Sequence, residues 1–400
     1  MAEYTRFIQN HLHYSFSREL TELYVSSTIR NIAVGLVLIF EPIYLYQVFG
    51  ESLAKTFFFF GVTSLLVAVF SPWGMQAVAR IGVKHAMLAS TPFIIAYYIL
   101  LLNIEQIGLW LLALPFLMAV HSVLYWPAFH IDFARFSDKK QRGRQTSYAV
   151  VIISLASSVA PLVGGVVIAT MGFTPLFIMA LALFFASIIP LFLSKDIQEH
   201  YHDHYETPFE EVAAPKYRRS VIAFAGEGSE LLLYRIVWPL FLFLLAINFE
   251  MLGLITSAAL VVGMVVAVYV GRITDVRGPE RMLKWGAIAT AVLWPLRLLV
   301  RTPLDAFLVH LSNEFTRSMA YIPFGALFYN WVGGAGFNRD RFVLIRAISL
   351  NGAGGMLLVA IGVASLFTDQ IQYAFLLGSV FSLALLFMLH APARLRHNGG

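Results

Sequence analysis

Between residues 304 and 331 an apolar stretch is interrupted by His310, Asn313, Glu314 and Arg317. They fall at i, i+3, i+4 and i+7, so on a helix they share one face. Such a stripe can ligate an anion, or exchange a proton at Glu314 while Arg317 balances the charge. The structural alternative is a permanent ion pair joining helices. Other polar groups sit in equally apolar surroundings: Glu41 beside Pro42, His121, and Asn248 with Glu250. Glu41 has no partner in its own stretch, which suits a carboxyl that is neutral when enclosed and ionised when open to water. A hydrogen bond from another helix, or a place in an outer vestibule, is the competing reading. His121 suits a substrate contact or a relay, and equally a histidine satisfied by a neighbouring helix. Tyr125 and Tyr321 each precede a proline by two residues, Pro127 and Pro323, so they are placed to stack on a ligand at a helix bend or to pack.

The elements that must position these groups are set by composition. Hydrophobic residues make up 59% of the chain and charged residues 13%, against about 45–50% and 25% in soluble domains. An aqueous core cannot hide that surplus. Stretches of about 20 apolar residues, the length of a membrane-spanning helix, recur along the chain. They are expected at 28–47, 54–73, 84–103, 107–131, 146–169, 173–193, 234–250, 253–271, 282–300, 304–331, 342–367 and 369–390. A charged group inside such a span costs about 2.5–3.5 kcal/mol on insertion scales, so the few present require a reason. Of the 28 Lys and Arg residues, 24 are assigned to the cytoplasmic side, Lys55, Arg297 and Arg301 to the outer side and Arg317 to the inside of a span. Both termini are then cytoplasmic. Residues 1–24 lack the apolar core and cleavage site of a secretory signal, so 1–27 is expected as an interfacial segment.

Residues 194–233 read as a cytoplasmic linker between two halves, 28–193 and 234–390, with 391–400 as a cytoplasmic tail. The linker carries His200, His202 and His204, a solvated tract with metal chelation as the alternative. The halves resemble each other: HSVLYWP at 121–127 and RSMAYIP at 317–323 lie 196 residues apart, as do Gly82 and Gly278, and 197 separate Arg144 from Arg341. His121 thus occupies the place of Arg317. The fold class expected is an all-α membrane protein of twelve helices in two pseudo-symmetric six-helix bundles, with a site between the halves.

The run from Gly271 to Gly278, with Asp275 and Arg277, resembles the G-x-x-x-D-R-x-G-R-R loop pattern of the major facilitator superfamily, its Arg displaced by one. The first-half copy keeps Arg80, Gly82 and Lys84 but has alanine where the Asp belongs. The resemblance implies that Arg80, Lys84, Gly271, Asp275, Arg277 and Gly278 form gating turns, with Asp275 as a latch. Pro161, Gly164 and Gly165 are similar to the G-P-x-x-G-G motif of the superfamily's proton-coupled antiporters, although small residues and a proline also serve close packing. In that family helices one, four, seven and ten line the cavity, which would gather Glu41, His121, Tyr125, His310, Asn313, Glu314, Arg317 and Tyr321.

The expected function is therefore secondary active transport of a small molecule by alternating access, with protons carried at Glu41 and Glu314 and export of amphipathic organic compounds. The rival is a uniporter or importer of a sugar, amino acid or organic anion with Arg317 as anion ligand. A third reading is a transporter-like sensor signalling through the histidine-bearing linker. Neither a phosphate-binding loop nor a nucleophile elbow nor an HExxH is present, so an enzyme is not expected. No cofactor, resident metal or nucleic-acid partner is expected. The setting implied is a monomer in a bacterial inner membrane.

Overall fold

The computed structural model of the chain describes residues 18–104, 106, 108–136, 155–193, 208–332 and 339–390. The histidine tract, the loop with Arg144, and the side chain of Asp275 lie outside the described residues. The first passage consists of α1 (Arg18–Val37) and α2 (Glu41–Val48), bent by 41° at the break. Pro42 has no N–H to offer the Leu38 carbonyl four residues back, so the helix cannot run through. Then come α3 (Leu53–Ile81), α4 (Val83–Leu102), α5 (Ala113–Phe136), α6 (Ala160–Met171) and α7 (Phe173–Leu193). After the short α8 (Pro208–Ala213), α9 (Arg218–Leu232) runs through a π-helical turn at Leu233–Val237 into α10 (Trp238–Leu244). The remaining helices are α11 (Phe249–Arg277), α12 (Pro279–Leu296), α13 (Pro303–Val332), α14 (Arg339–Ala364) and α15 (Ala374–Ala384), the last extended by a 3₁₀ turn to His390.

Among the described residues eight helices are long and apolar enough to cross a bilayer, nine if α1 and α2 form one bent span. The shorter apolar helix Leu155–Met171, the α9–α10 passage and α13 make the order consistent with twelve crossings. The last two carry the charged residues described below, which is why they read as less apolar. Large apolar side chains such as Phe185, Ile189, Val292 and Val380 face outward, as expected where lipid is the solvent.

Several boundaries differ from the sequence reading. The seventh passage begins at Arg218 rather than 234, so the interval read as linker ends in helix. Residues 18–27 belong to α1, where Ser26 and Ser27 are buried, rather than to a surface segment. Asn248 is the N-cap of α11, accepting from the Met251 N–H at 2.9 Å, and Glu250 lies exposed in the first turn of that helix, not at the end of the seventh. Arg297, assigned to the outer surface, is 1% exposed. Arg30 and Arg235, counted with the cytoplasmic cations, lie inside helical passages.

The duplication is visible in backbone and packing. Gly82 and Gly278 close α3 and α11 with nearly the same conformation, φ +85° and +83°, a region that a Cβ makes costly. α3 and α4 both pack on α5, as α11 and α12 both pack on α13. Across the halves α3 lies along α14 and α6 along α11, contacts that exchange with each other under a two-fold relation of the repeats. The α6–α11 crossing is tight: a Cβ on Gly165 would stand 2.3 Å from the Phe249 carbonyl oxygen, and one on Gly253 2.3 Å from that of Pro161.

Candidate functional site

α13 presents His310, Asn313, Glu314 and Arg317 inward, but their partners are not the expected ones. Arg317 does not pair with Glu314; it lies 3.6 Å from Glu230 of α9, and Tyr321 donates its hydroxyl to that same carboxylate. The Arg317 guanidinium also sits over the rings of Tyr234 at 4.2 Å and Tyr321 at 4.7 Å. Glu314 instead accepts from the Tyr234 hydroxyl at 2.7 Å. That hydroxyl is 3.2 Å from Nε2 of His310, whose Nδ1 accepts from Trp238 Nε1 at 3.1 Å. An indole N–H only donates, so Nδ1 carries the lone pair and the neutral ring bears its proton on Nε2, toward Tyr234. The result is a directional chain, Trp238 to His310 to Tyr234 to Glu314. Asn313, fully buried, accepts from Arg297 at 2.5 Å, and that guanidinium stacks on Trp294 at 3.4 Å.

The first half holds a second cluster. Glu41 is not alone: Tyr97 and Tyr98 of α4 donate to its two oxygens at 2.6 and 3.0 Å. His121 is 2% exposed and has both ring nitrogens engaged. Its Nδ1 lies 2.9 Å from the Ser90 carbonyl and its Nε2 2.7 Å from an Arg30 nitrogen. A carbonyl only accepts and a guanidinium only donates, so the ring is neutral with its proton on Nδ1. Arg30 also lies 3.7 Å over the Tyr125 ring, which stacks on His121. Tyr125 and His121 therefore form a packed platform around Arg30 rather than the wall of an opening.

Between the halves lies a cavity of about 220 Å³. Val34, Leu38, Pro161, Leu252 and Leu260 supply apolar wall from α1 and the break after it, α6 and α11, and Tyr234, Arg235, Trp238 and His310 supply its polar side from the seventh and tenth passages. Of the proposed binding residues His310 reaches this cavity directly and Glu314 is one hydrogen bond behind Tyr234, whereas Glu41, His121 and Tyr125 do not line it.

Cross-half contacts lie on either side of the cavity. On one side Phe249 meets Phe40 at 6.2 Å and Phe173 at 5.5 Å between ring centres. On the other, Nδ1 of His130 on α5 is 3.0 Å from the Tyr329 hydroxyl on α13. Arg346 is 3.4 Å from the same ring and grips Glu227 through two hydrogen bonds, one of 2.9 Å from Nε. Of the expected gating residues, Gly82 and Gly278 form the turns; Arg80 and Arg277 are exposed, Lys84 is half-buried, and Gly271 has open space where a Cβ would be. Pro161, Gly164 and Gly165 are packing residues, with the Gly164 position against the Leu36 carbonyl.

Arg30, Glu227, Glu230, Arg235 and Arg346 escaped the sequence reading. Glu227, Glu230 and Tyr234 do carry a signal, since their spacing of i, i+3 and i+7 continues one helical face through the supposed linker.

No curated protein matches the sequence. A substituted form of the E. coli fucose:proton symporter FucP matches at TM-score 0.65 and 13% identity, covering 94% of this chain and 100% of its own. The human organic anion transporter MFSD10 (TETRAN) matches at TM-score 0.67 and 13% identity, covering 93% of this chain and 99% of its own. At these identities the likeness is one of fold. Residues 23–292, more than half of the chain, match the family model of the Major Facilitator Superfamily, and the chain belongs to that family of membrane transporters.

Proposed function

We propose that this transporter carries its small-molecule substrate together with a proton, using Glu314 as the proton site and the cavity between the halves as the substrate site. The observation that supports this reading is the Tyr234 hydroxyl, which borders the cavity and donates to Glu314. A substrate acceptor that captures this hydroxyl deprives Glu314 of its donor, and a carboxylate in an apolar setting that loses its donor is stabilised by taking a proton. Substrate and proton then favour each other's binding, which is co-transport rather than exchange. Arg317 stays neutralised by Glu230 throughout, so it acts as an anchor. Alternating access consists of the two bundles rocking about the cavity, releasing the Phe249 contacts on one side or the His130–Tyr329 contact on the other.

Reconstituted vesicles test this with labelled sugars, amino acids and monocarboxylates. A pH gradient drives accumulation of the carried solute in the direction of proton flow. Glu314→Gln keeps solute counterflow and loses gradient-driven accumulation. Wild-type uptake indifferent to the gradient would sink the proposal.

A further inference from the structure

Among the described residues of the two clusters and the cavity wall, the charges do not balance. Two ion pairs are closed, Arg317 with Glu230 and Arg346 with Glu227. The two remaining carboxylates, Glu41 and Glu314, are each held by tyrosine hydroxyls. Three arginines are then left with no ion pair among the described residues. Arg30 rests on neutral His121, and Arg297 on the Asn313 amide. The guanidinium of Arg235 has neither a hydrogen bond nor an ion pair among the described residues, and it lines the cavity. Among the described residues it is the single formally charged side chain in the cavity wall.

Its backbone setting is as specific as its charge. Arg235 lies in the π-helical turn Leu233–Val237, where the Trp238 N–H bonds back five residues to the Leu233 carbonyl. Pro239 then has no N–H to give the Arg235 carbonyl four residues back. One extra residue in the turn, a feature frequent at functional sites, brings Tyr234, Arg235 and Trp238 onto the cavity side together.

We infer that the cavity takes an organic monoanion, its carboxylate or equivalent oxyanion held by Arg235 and Tyr234 and its apolar body lying against Leu38, Leu242, Leu252 and Leu260. A planar guanidinium with no hydrogen-bond or ion-pair partner among the described residues matches a carboxylate through paired N–H groups, and a cation in an apolar wall gains most from a partner of opposite charge. Sugars would leave that charge unanswered, and amphipathic cations would be repelled by it. The inference rests on the substrate site proposed above, and it makes transport of one anion with one proton electrically neutral.

The test uses three isosteres, 2-naphthoate, 2-naphthamide and 2-naphthylmethylammonium, with the purified full chain. Naphthoate binds, while the amide and ammonium bind at least tenfold more weakly; Arg235→Gln lowers naphthoate affinity about hundredfold and Arg235→Lys recovers part of it. The chain has no cysteine, so Thr256→Cys, in the facing wall with Arg235 retained, reports occupancy independently of the arginine variants. Naphthoate slows its maleimide labelling and the amide does not. Equal binding or protection by the amide, a preference for the ammonium, no naphthoate binding at all, or naphthoate affinity unaltered in a folded Arg235→Gln protein would each overturn the inference. Arg235-dependent naphthoate binding without vesicle flux would leave the anion site standing and refute the transport reading, whereas flux of the amide at undiminished affinity would do the reverse.

Discussion

Glu230 holds two groups at once, the Arg317 guanidinium and the Tyr321 hydroxyl, and its side chain is fully enclosed. Removing one member of a buried pair leaves an uncompensated charge, at a cost of about 3–5 kcal/mol. Glu230→Gln is therefore expected to lower the thermal midpoint of the detergent-solubilised protein, and adding Arg317→Met is expected to restore much of it. A double variant no more stable than the single would remove Arg317 as the reason. Glu41 contrasts with Glu314 although both accept from tyrosine. It receives two hydroxyls and lies away from the cavity wall, an arrangement of a helix tie rather than a carrier. Glu41→Gln keeps an acceptor for one hydroxyl and is expected to retain gradient-driven uptake. Glu41→Leu strands both, at about 1–3 kcal/mol for each unsatisfied group, and is expected to lower the thermal midpoint. Loss of gradient-driven uptake in a stable Glu41→Gln protein would transfer the proton role to Glu41.

At the scale of elements, the function depends on helices meeting closely and separating again. The α6–α11 crossing leaves no room for a side chain at Gly165 or Gly253. Gly165→Leu is expected to hold the halves apart on that side, which a cavity thiol at Leu38→Cys reports as faster maleimide labelling in the otherwise cysteine-free chain. On the opposite side His130 bridges to Tyr329 while Arg346 faces the same ring. Tyr329→Phe removes this cross-half bond. The same thiol should then be labelled faster by a membrane-impermeant reagent supplied from the side on which α5 and α13 end, with no change from the other side. Unchanged labelling from both sides would show that the bond does not hold the bundles together.

At the scale of the whole molecule, much of the architecture was legible in the chain. A bilayer selects apolar stretches of fixed length, so composition and period reveal the passages. Duplication reveals their pairing, as the shared backbone of Gly82 and Gly278 illustrates. Two of the places where the reading failed show why. Arg218–Leu232 was read as linker because its inward face is polar, and apolarity identifies helices that meet lipid rather than helices whose polar face meets other helices. Arg297 was placed outside because its segment nears the end of an apolar run, while in the fold Trp294 and Asn313 enclose it.

The residues of α13 could be assigned to one face from spacing alone, since helical period is a local property. Which charge each would meet was not local. Glu230 lies 91 residues from Tyr321 and Arg30 91 residues from His121, and those separations are closed only when helices distant in sequence pack together. The sequence by itself thus determined a two-fold, many-helix membrane transporter with a polar stripe on its tenth passage. Tertiary packing decided that Arg317 is already neutralised and that Arg235 is the cation left facing the cavity, because a buried charge takes its meaning from the partners that distant segments bring to it.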